Sequence, residues 1–399
     1  MILVFEMTWS GGIHAPGNSA TIQTIARAYP REAVCVFADR SHIAELQADR
    51  ALTACANVSF RQITLYPRLF GKTHIVSWGR FRRELSTLRQ GLATVPRGEP
   101  CLIMLISATP TAILAARLLS RLRRGRTGVQ VGLHGNLNDI NGWRPRNPLT
   151  RACDLRSVLN WRHPEDFTFL VLEEGIRLAL VEAIPRIADH VQVLPLPINA
   201  TELTEQSTVE LQEPLRIGLV GQATGAKGTD LFLAVAREFK QRYGNRVAFT
   251  LVGRAPDNSD LAAFDVLEDP VTTERLARKD YLARLAKLHF VFLPLDDRYY
   301  RLSASGALID AITWLKPVIA TRLPIVEALF QRHGDIGYLC DDAAAMREVL
   351  TQLVSMPDTA RYLRQIEAMR RLRDSREPGV LADEYRRQMQ QRFAGLLTD

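Results

Sequence analysis

Cysteine is sparse in this chain and poorly placed for cross-linking. The five cysteines, Cys35, Cys55, Cys101, Cys153 and Cys340, are odd in number, scattered and nowhere spaced CxxC. That excludes a disulfide framework and a zinc site, and it fits a reducing compartment. Long apolar runs are also missing. The one candidate, "CLIMLISATPTAILAARLL" from Cys101, carries Pro110 and several hydroxyls, and reads as a buried strand, a turn and then a helix. The opening "MILVFEMTW" lacks a basic leader and its apolar run is cut by Glu6, so no signal peptide is expected and the chain is expected in the cytoplasm. Neither GxGxxG nor the P-loop GxxxxGK[ST] occurs, which removes the two commonest sequence signals of phosphate binding.

What is present is an ordinary globular composition, 47% hydrophobic and 24% charged over 399 residues, long enough for two domains. The net charge of +8 is concentrated. Between Arg68 and Arg126 twelve Lys or Arg (Arg68, Lys72, Arg80, Arg82, Arg83, Arg89, Arg97, Arg117, Arg121, Arg123, Arg124, Arg126) accompany two acids, Glu84 and Glu99. A stretch of this kind suits anionic lipid, nucleic acid or a phosphorylated substrate, or is simply a solvated basic face. Few aromatic residues accompany the arginines, which speaks against nucleic acid.

Short apolar runs alternate with amphipathic ones: "MILVFEM" and "SATIQTIARAYP", "EAVCVFA" and "SHIAELQADRAL", "CLIMLI" and "TAILAARLLSRLRR", then "GVQVGLHG". This is the pattern of a parallel sheet covered by helices. The polar stretch "NATELTEQSTVELQEP" interrupts it, and the alternation restarts at "LRIGLVG". The expected organisation is therefore α/β, with a domain over 1–197 and a second over 198–375 whose first residues, 198–214, are a linker. Residues 376–399 contain a helix, expected to pack back on the N-terminal domain.

Open α/β sheets bind ligands beyond the carboxyl ends of their strands, so the loops there carry the chemistry. After the first strand, "TWSGGIHAPGNSA" places Gly11, Gly12 and Gly17 where a backbone approaches a ligand. After "VQVGL" comes His134 in a polar loop with Gly135, Asn136 and Asp139; a structural histidine is the plain alternative. "LRIGLVG" runs into "QATGAKGTD", which sets Lys227 just before a helix. Finally "SASG" opens the apolar run "ALIDAITWLKPVIA", so that Ser303, Ser305 and Gly306 offer hydroxyls and unpaired N–H groups at the positive end of a helix. That arrangement suits an anion, and it equally suits serines that only cap a buried helix.

On these residues the chain resembles the GT-B glycosyltransferases, and among them the family-4-like, retaining group. "IGLVGQATGAKGTDLFLAVA", "FTLVG", "DYLARLAKLHFVFLPL" and "SGALIDAITWLKPVIAT" are similar to the successive elements of that group's second domain. The resemblance covers most of 214–345 and is looser over the first domain, where the glycine-rich loop and His134 are the points of match. It implies two facing Rossmann-like βαβ domains with a cleft between them. It also implies a nucleotide-diphosphate sugar donor, UDP- or GDP-linked, held mainly by the second domain.

Lys227 and the backbone around Ser303, Ser305 and Gly306 would then contact the diphosphate, with Gly12 close by, and Asp310 would bind the ribose hydroxyls. His134 would lie at the reacting centre, and His14, Asn136 and Asp139 on the acceptor side. No cofactor or metal is expected: no DxD occurs, and a lysine plus a helix N-terminus can neutralise a departing diphosphate. Two positions depart from the pattern. Gln222 stands where the group carries Arg, and Leu302 where it carries the first of two acids; Tyr299, Tyr300 and Arg301 are the nearest substitutes. The implied activity is transfer of a sugar to a hydroxyl acceptor with retention. The basic stretch suggests a lipid-linked or polysaccharide acceptor of bacterial surface glycan synthesis, at an anionic membrane. The alternatives are a sugar-nucleotide epimerase of similar build and a non-catalytic partner of a glycosyltransferase.

Overall fold

Five apolar runs are buried along their whole length, as strands covered on both faces must be: β1 (Ile2–Glu6), β2 (Val34–Ala38), β4 (Cys101–Ser107), β5 (Thr127–Gly132) and β6 (Phe167–Val171). With β3 (Val58–Gln62) and β7 (Val191–Val193) they form a seven-stranded parallel sheet, ordered β3-β2-β1-β4-β5-β6-β7. This computed structural model describes every residue except 68–71, 124, 143, 199–208, 394 and 398–399. Most of the expected linker 198–214 therefore lies outside the described residues.

Contacts divide the chain into two compact units, one of Met1–Asn199, Leu302–Ala304 and Arg376–Asp399, the other of Ala200–Arg301 and Ser305–Ser375. The second unit holds a five-stranded parallel sheet, ordered β12-β11-β10-β8-β9, from β8 (Leu215–Gln222), β9 (Val247–Arg254), β10 (Phe290–Leu293), β11 (Val318–Thr321) and β12 (Gly337–Cys340). The α/β class expected from the alternation is thus observed in both halves.

In the first unit the helix Pro378–Arg392 packs along the helix Ala15–Ala28. Its Leu381, Tyr385 and Met389 enter one core with Ile2, Val4, Ile22 and Ile25. The Tyr385 hydroxyl donates to Gln130 Oε1 in mid-β5 at 2.8 Å, which satisfies two polar groups that burial would otherwise strand. Where the chain returns to this unit, Arg376 is 2% exposed and forms a salt bridge with Glu173 at 2.8 Å.

The stretch from Cys101 is β4, then the helix Pro110–Leu122 capped by Thr109, whose hydroxyl accepts from the Ala112 N–H at 3.1 Å. Among the described residues no helix is long and apolar enough to cross a membrane. The basic stretch is not one face. Arg80 is buried and donates to the Lys72 carbonyl at 2.7 Å; Arg117 is buried, donates to the Arg162 carbonyl at 2.6 Å and stacks over Trp161. Arg68 and Arg124 lie outside the described residues. Arg82, Arg83, Arg89, Arg97, Arg121 and Arg126 are exposed.

One glycine tests the packing of the sheet against its helices. A Cβ at Gly91, inside the helix Trp78–Leu92, would stand 2.4 Å from the Phe5 ring carbon Cζ in β1. Gly91→Ala is expected to lower stability by about 1–3 kcal/mol, read from the urea midpoint at unchanged m-value, because Phe5 is fully buried and has nowhere to go. An unchanged midpoint would mean that the helix slides freely on β1.

Candidate functional site

Each sheet has a point where the strand order reverses, and the loops beyond these two points carry several of the predicted residues. In the second unit the reversal is at β8, with β9 on one side and β10 on the other. The loop leaving β8 turns through Gly228, whose φ is +67° and where a Cβ would stand 2.2 Å from the Pro294 carbonyl oxygen, so only glycine fits. That turn opens the helix Thr229–Tyr243 and folds Lys227 back over the strand end, where its ammonium donates to the Val220 carbonyl at 2.8 Å. Burial pushes the Lys227 ammonium down to about 8, with the Asp310 carboxylate acting the other way.

Asp310 lies in the helix Gly306–Thr313 and accepts a hydrogen bond from the Tyr281 hydroxyl at 2.5 Å. Its pKa is raised by burial, against the opposing effects of Tyr281, Arg278 and Lys227. The helix begins at Gly306, and Ser305 is its cap: the Ser305 hydroxyl accepts from the Leu308 N–H at 3.3 Å and is buried. Ser303 stands outside the helix, in the Leu302–Ala304 segment grouped with the first unit. Leu302 is 5% exposed and joins that unit's apolar cluster. Arg301 is exposed and lies 3.8 Å from Asp297; Tyr300 is buried and Tyr299 is exposed.

Sequence reasoning missed the pocket beside Lys227. A cavity of about 360 Å³ is lined by Gly221, Gln222, Gly253, Arg254, Arg278 and Tyr281, with Arg275 and Leu276 completing it. Gln222 and Arg254 are register partners across β8 and β9. Arg254 also donates to the Thr273 carbonyl at 3.0 Å, and the Arg278 guanidinium lies over the Tyr281 ring. Three arginines, Arg254, Arg275 and Arg278, therefore line the pocket beside Gln222. Their spacing in sequence carries no signal of this: strand pairing sets Arg254 beside Gln222, while Arg275 and Arg278 come from the loop and helix start that follow.

In the first unit the reversal lies between β1 and β4. The register slips between Phe5 and Glu6, so that Glu6 stands opposite Ser107; such irregularities re-aim side chains at strand ends. Glu6, unnoticed in the sequence except as a break in an apolar run, is 1% exposed. Its Oε1 accepts from the backbone N–H groups of Thr8 (2.7 Å) and Trp9 (3.0 Å), and its Oε2 from Asn18 Nδ2 (3.1 Å). Burial pushes its carboxyl up to about 7, with these bonds and one from Ser107 opposing.

The glycine-rich loop is tethered further along. Asn18 Nδ2 also donates to His42 Nε2 at 3.0 Å, which leaves the His42 Nδ1–H to donate to the Gly11 carbonyl at 2.7 Å. The Gly11 N–H donates to the Ser41 hydroxyl at 2.9 Å. Gly11 needs its glycine for a φ of +57°, whereas a Cβ at Gly12 would make only ordinary contact with Glu45. His14 precedes the helix Ala15–Ala28 with a φ of +59°, a conformation costly for a non-glycine residue and common at functional sites. Its ring centroid is 5.3 Å from Trp9 and 5.2 Å from His134.

His134 Nε2 is 3.3 Å from the Ser107 hydroxyl, and burial, then His14, push its imidazole down to about 3, so it is neutral at ordinary pH. Asn136 donates to the Ala108 carbonyl at 2.6 Å while its buried Oδ1 has no hydrogen-bond partner; Asp139 accepts from the Thr73 hydroxyl at 3.3 Å. His14 and His134 thus come together with Glu6 and Ser107. Among the described residues no group of three or more His, Cys, Asp or Glu is placed to hold a metal ion.

Solved structures share this fold over nearly the whole chain. A trehalose-6-phosphate synthase from E. coli bound with UDP-2-fluoro glucose is 11% identical, with 98% of this chain and 99% of that one covered and a TM-score of 0.66. A glycosyltransferase from Rickettsia africae is 10% identical, with 99% and 98% covered and a TM-score of 0.65. The Anabaena protein HepE, in complex with UDP-glucose, is 15% identical, with 98% and 99% covered and a TM-score of 0.61. No protein-family model matches the chain, and no curated protein does. The fold is that of the GT-B glycosyltransferases, as the resemblance implied.

Proposed function

We propose that this chain is a glycosyltransferase that moves a sugar from a uridine diphosphate sugar to a hydroxyl acceptor. The observation that carries the reading is the convergence, at the β8 switch point, of half-buried Lys227 and Asp310 with an arginine-lined pocket of about 360 Å³. Such a site suits a nucleoside diphosphate: cations and a glycine-lined wall for phosphate, carboxylate and phenol for ribose. The UDP-glucose and UDP-2-fluoro glucose complexes among proteins of the same fold support the nucleotide. In this reading Lys227, with Arg278 and the helix start at Gly306, stabilises charge gathering on the departing diphosphate, and no metal is required. Transfer proceeds with retention, the leaving phosphate receiving the acceptor's proton. His134 and His14 belong to the acceptor side, with Asn136 and Asp139 shaping their loop. Residues 1–197 are assigned to the acceptor and 198–375 to the donor.

Thermal shifts against UDP, GDP, ADP, TDP and CMP test the donor site. A diphosphate at 100 times its Kd adds about 2.7 kcal/mol. UDP is expected to raise the melting temperature most; GDP doing so instead would change the nucleotide, and silence from all five would remove the donor site.

The acceptor in this proposal is a lipid-linked or surface glycan at an anionic membrane. Trp78, 70% exposed and stacked on Phe81, starts a helix whose next turn carries exposed Arg82 and Arg83, a pairing of amphipathic ring and cation that suits a lipid interface. The protein is expected to pellet with phosphatidylglycerol vesicles in low salt, and Arg82→Ala/Arg83→Ala to weaken this by two charges' worth, about 2 kcal/mol. Equal pelleting with neutral vesicles would remove the anionic surface from the proposal, and no pelleting with either would remove the membrane. A non-catalytic partner is the second reading, favoured by Leu302, which fills an apolar cluster where an acid would touch the donor sugar. Nucleotide binding without hydrolysis or transfer would favour it.

A further inference from the structure

The buried carboxyl of Glu6 sits where no substrate group is needed to explain its partners. One further hydrogen bond reaches it, from the Ser107 hydroxyl of the neighbouring strand. The same hydroxyl oxygen is 3.3 Å from His134 Nε2. Ser107 has one hydroxyl hydrogen and can give it to only one of them.

That single hydrogen links two protonation choices. When Glu6 is ionised, every neighbour on it is a donor: the N–H groups of Thr8 and Trp9, the Asn18 amide and the Ser107 hydroxyl. Ser107 then has only a lone pair to offer His134, so Nε2 must carry the imidazole hydrogen and Nδ1 is left as an acceptor. When Glu6 is protonated it donates to the Ser107 oxygen, the serine turns its hydrogen to Nε2, and the hydrogen of His134 moves to Nδ1. No net proton is gained or lost by the ring in this exchange; it remains neutral in both forms.

We propose that Glu6 is a positioning residue which, through Ser107, fixes the tautomer of His134 and so decides whether its Nδ1 accepts or donates a hydrogen bond. The inference rests on the reading of His134 as an acceptor-side group, because an Nδ1 lone pair is what receives a sugar or acceptor hydroxyl. The register slip at Phe5 and Glu6 makes it possible, since it brings the carboxyl opposite Ser107. Among the described residues the other titratable groups in contact with the relay are histidines: His42 through Asn18, and His14 against the His134 ring. Asp39 and Glu45 act on His42, not on Glu6. With Glu6 titrating near neutrality, the exchange falls inside the working range.

Ring-nitrogen NMR of the deuterated full chain with ¹⁵N-labelled histidine reads the tautomer directly, His134 being assigned by the signal lost in His134→Gln. At pH 8.5 the wild type is expected to show Nε2–H. Glu6→Gln places an amide donor toward Ser107, mimics the protonated acid, and is expected to show Nδ1–H at every pH; the wild type is expected to approach the same state below about pH 6. Ser107→Ala leaves Glu6 and its backbone bonds in place, and is expected to remove the pH dependence even if Glu6→Gln fails to fold. Turnover should fall about 10- to 100-fold in both, with donor KM unchanged and the acid limb of the wild-type profile absent. A His134 pattern identical in wild type and Ser107→Ala, or Nδ1–H in the wild type at pH 8.5, would overturn the inference. A tautomer that follows Glu6 while His134→Gln turns over normally would uphold the relay and remove His134 from the reaction.

Discussion

Lys227→Ala is expected to abolish stabilisation of the protein by UDP and to lower turnover by about 10²- to 10³-fold, the scale of losing one preorganised donor to a developing anion. The lysine lies at the β8 switch point half-buried, its ammonium held by the Val220 carbonyl with the Asp310 carboxylate acting on it. Charge sign gives a second, independent readout. Below pH 8 the ammonium is already present and binds the diphosphate without proton exchange. Above pH 8 the free protein has lost that proton, so binding must take one up, and UDP affinity should fall by up to tenfold per pH unit. Without ligand the sign reverses. The folded-state pKa is depressed from 10.5 to about 8, so between these values the unfolded chain holds more protons and stability rises with pH. Lys227→Ala should erase both trends. UDP titrations from pH 7 to 9.5 decide the matter: a flat wild-type affinity would show that the lysine does not meet the phosphates.

Arg376→Ala should lower the stability of the first unit by about 3–5 kcal/mol, a large share of the 5–15 kcal/mol that holds a typical domain. The guanidinium and the Glu173 carboxylate are both nearly inaccessible, with two contacts between them of 2.8 and 3.1 Å. Removing one partner leaves a carboxylate buried without its counter-charge. Replacing both, as Arg376→Met with Glu173→Leu, should restore much of the loss, because the penalty lies in the orphaned charge and not in the absent pair. Urea unfolding of the wild type and these two variants separates the effects. A loss under 1 kcal/mol in Arg376→Ala would mean that water reaches Glu173 readily.

The α/β pattern was legible because covered parallel strands must be apolar throughout, and "CLIMLI" and "VAFTLVG" leave no alternative. Lys227 drew notice as a lysine between a strand and a helix, and Asp310 only through the family resemblance of its helix; the structure brings the two within electrostatic reach of each other. Glu6 was not legible, since a lone acid ending a strand looks like an ordinary boundary until a register slip sets it against Ser107. Arg254, Arg275 and Arg278 were hidden for a related reason: the pairing of β8 with β9 sets Arg254 beside Gln222, and the tertiary fold brings the later loop and helix start to the same pocket. The basic stretch misled in the other direction. Composition cannot tell Arg80 and Arg117, which tie down carbonyls inside the unit, from the arginines that remain in water.

The helix Pro378–Arg392 also fixes an order of events during synthesis. The seven-stranded sheet is complete once β7 has emerged, yet Tyr385, Met389 and Phe393, which close its core over Ile2 and Val4, are translated only after all of the five-stranded unit. On the ribosome the first unit must therefore wait with part of one face of its sheet uncovered while nearly all of the second, Ala200–Arg301 and Ser305–Ser375, is made. A nascent chain stalled before residue 376 should expose that apolar face to chaperones, and release of the last two dozen residues should be the step that seals it.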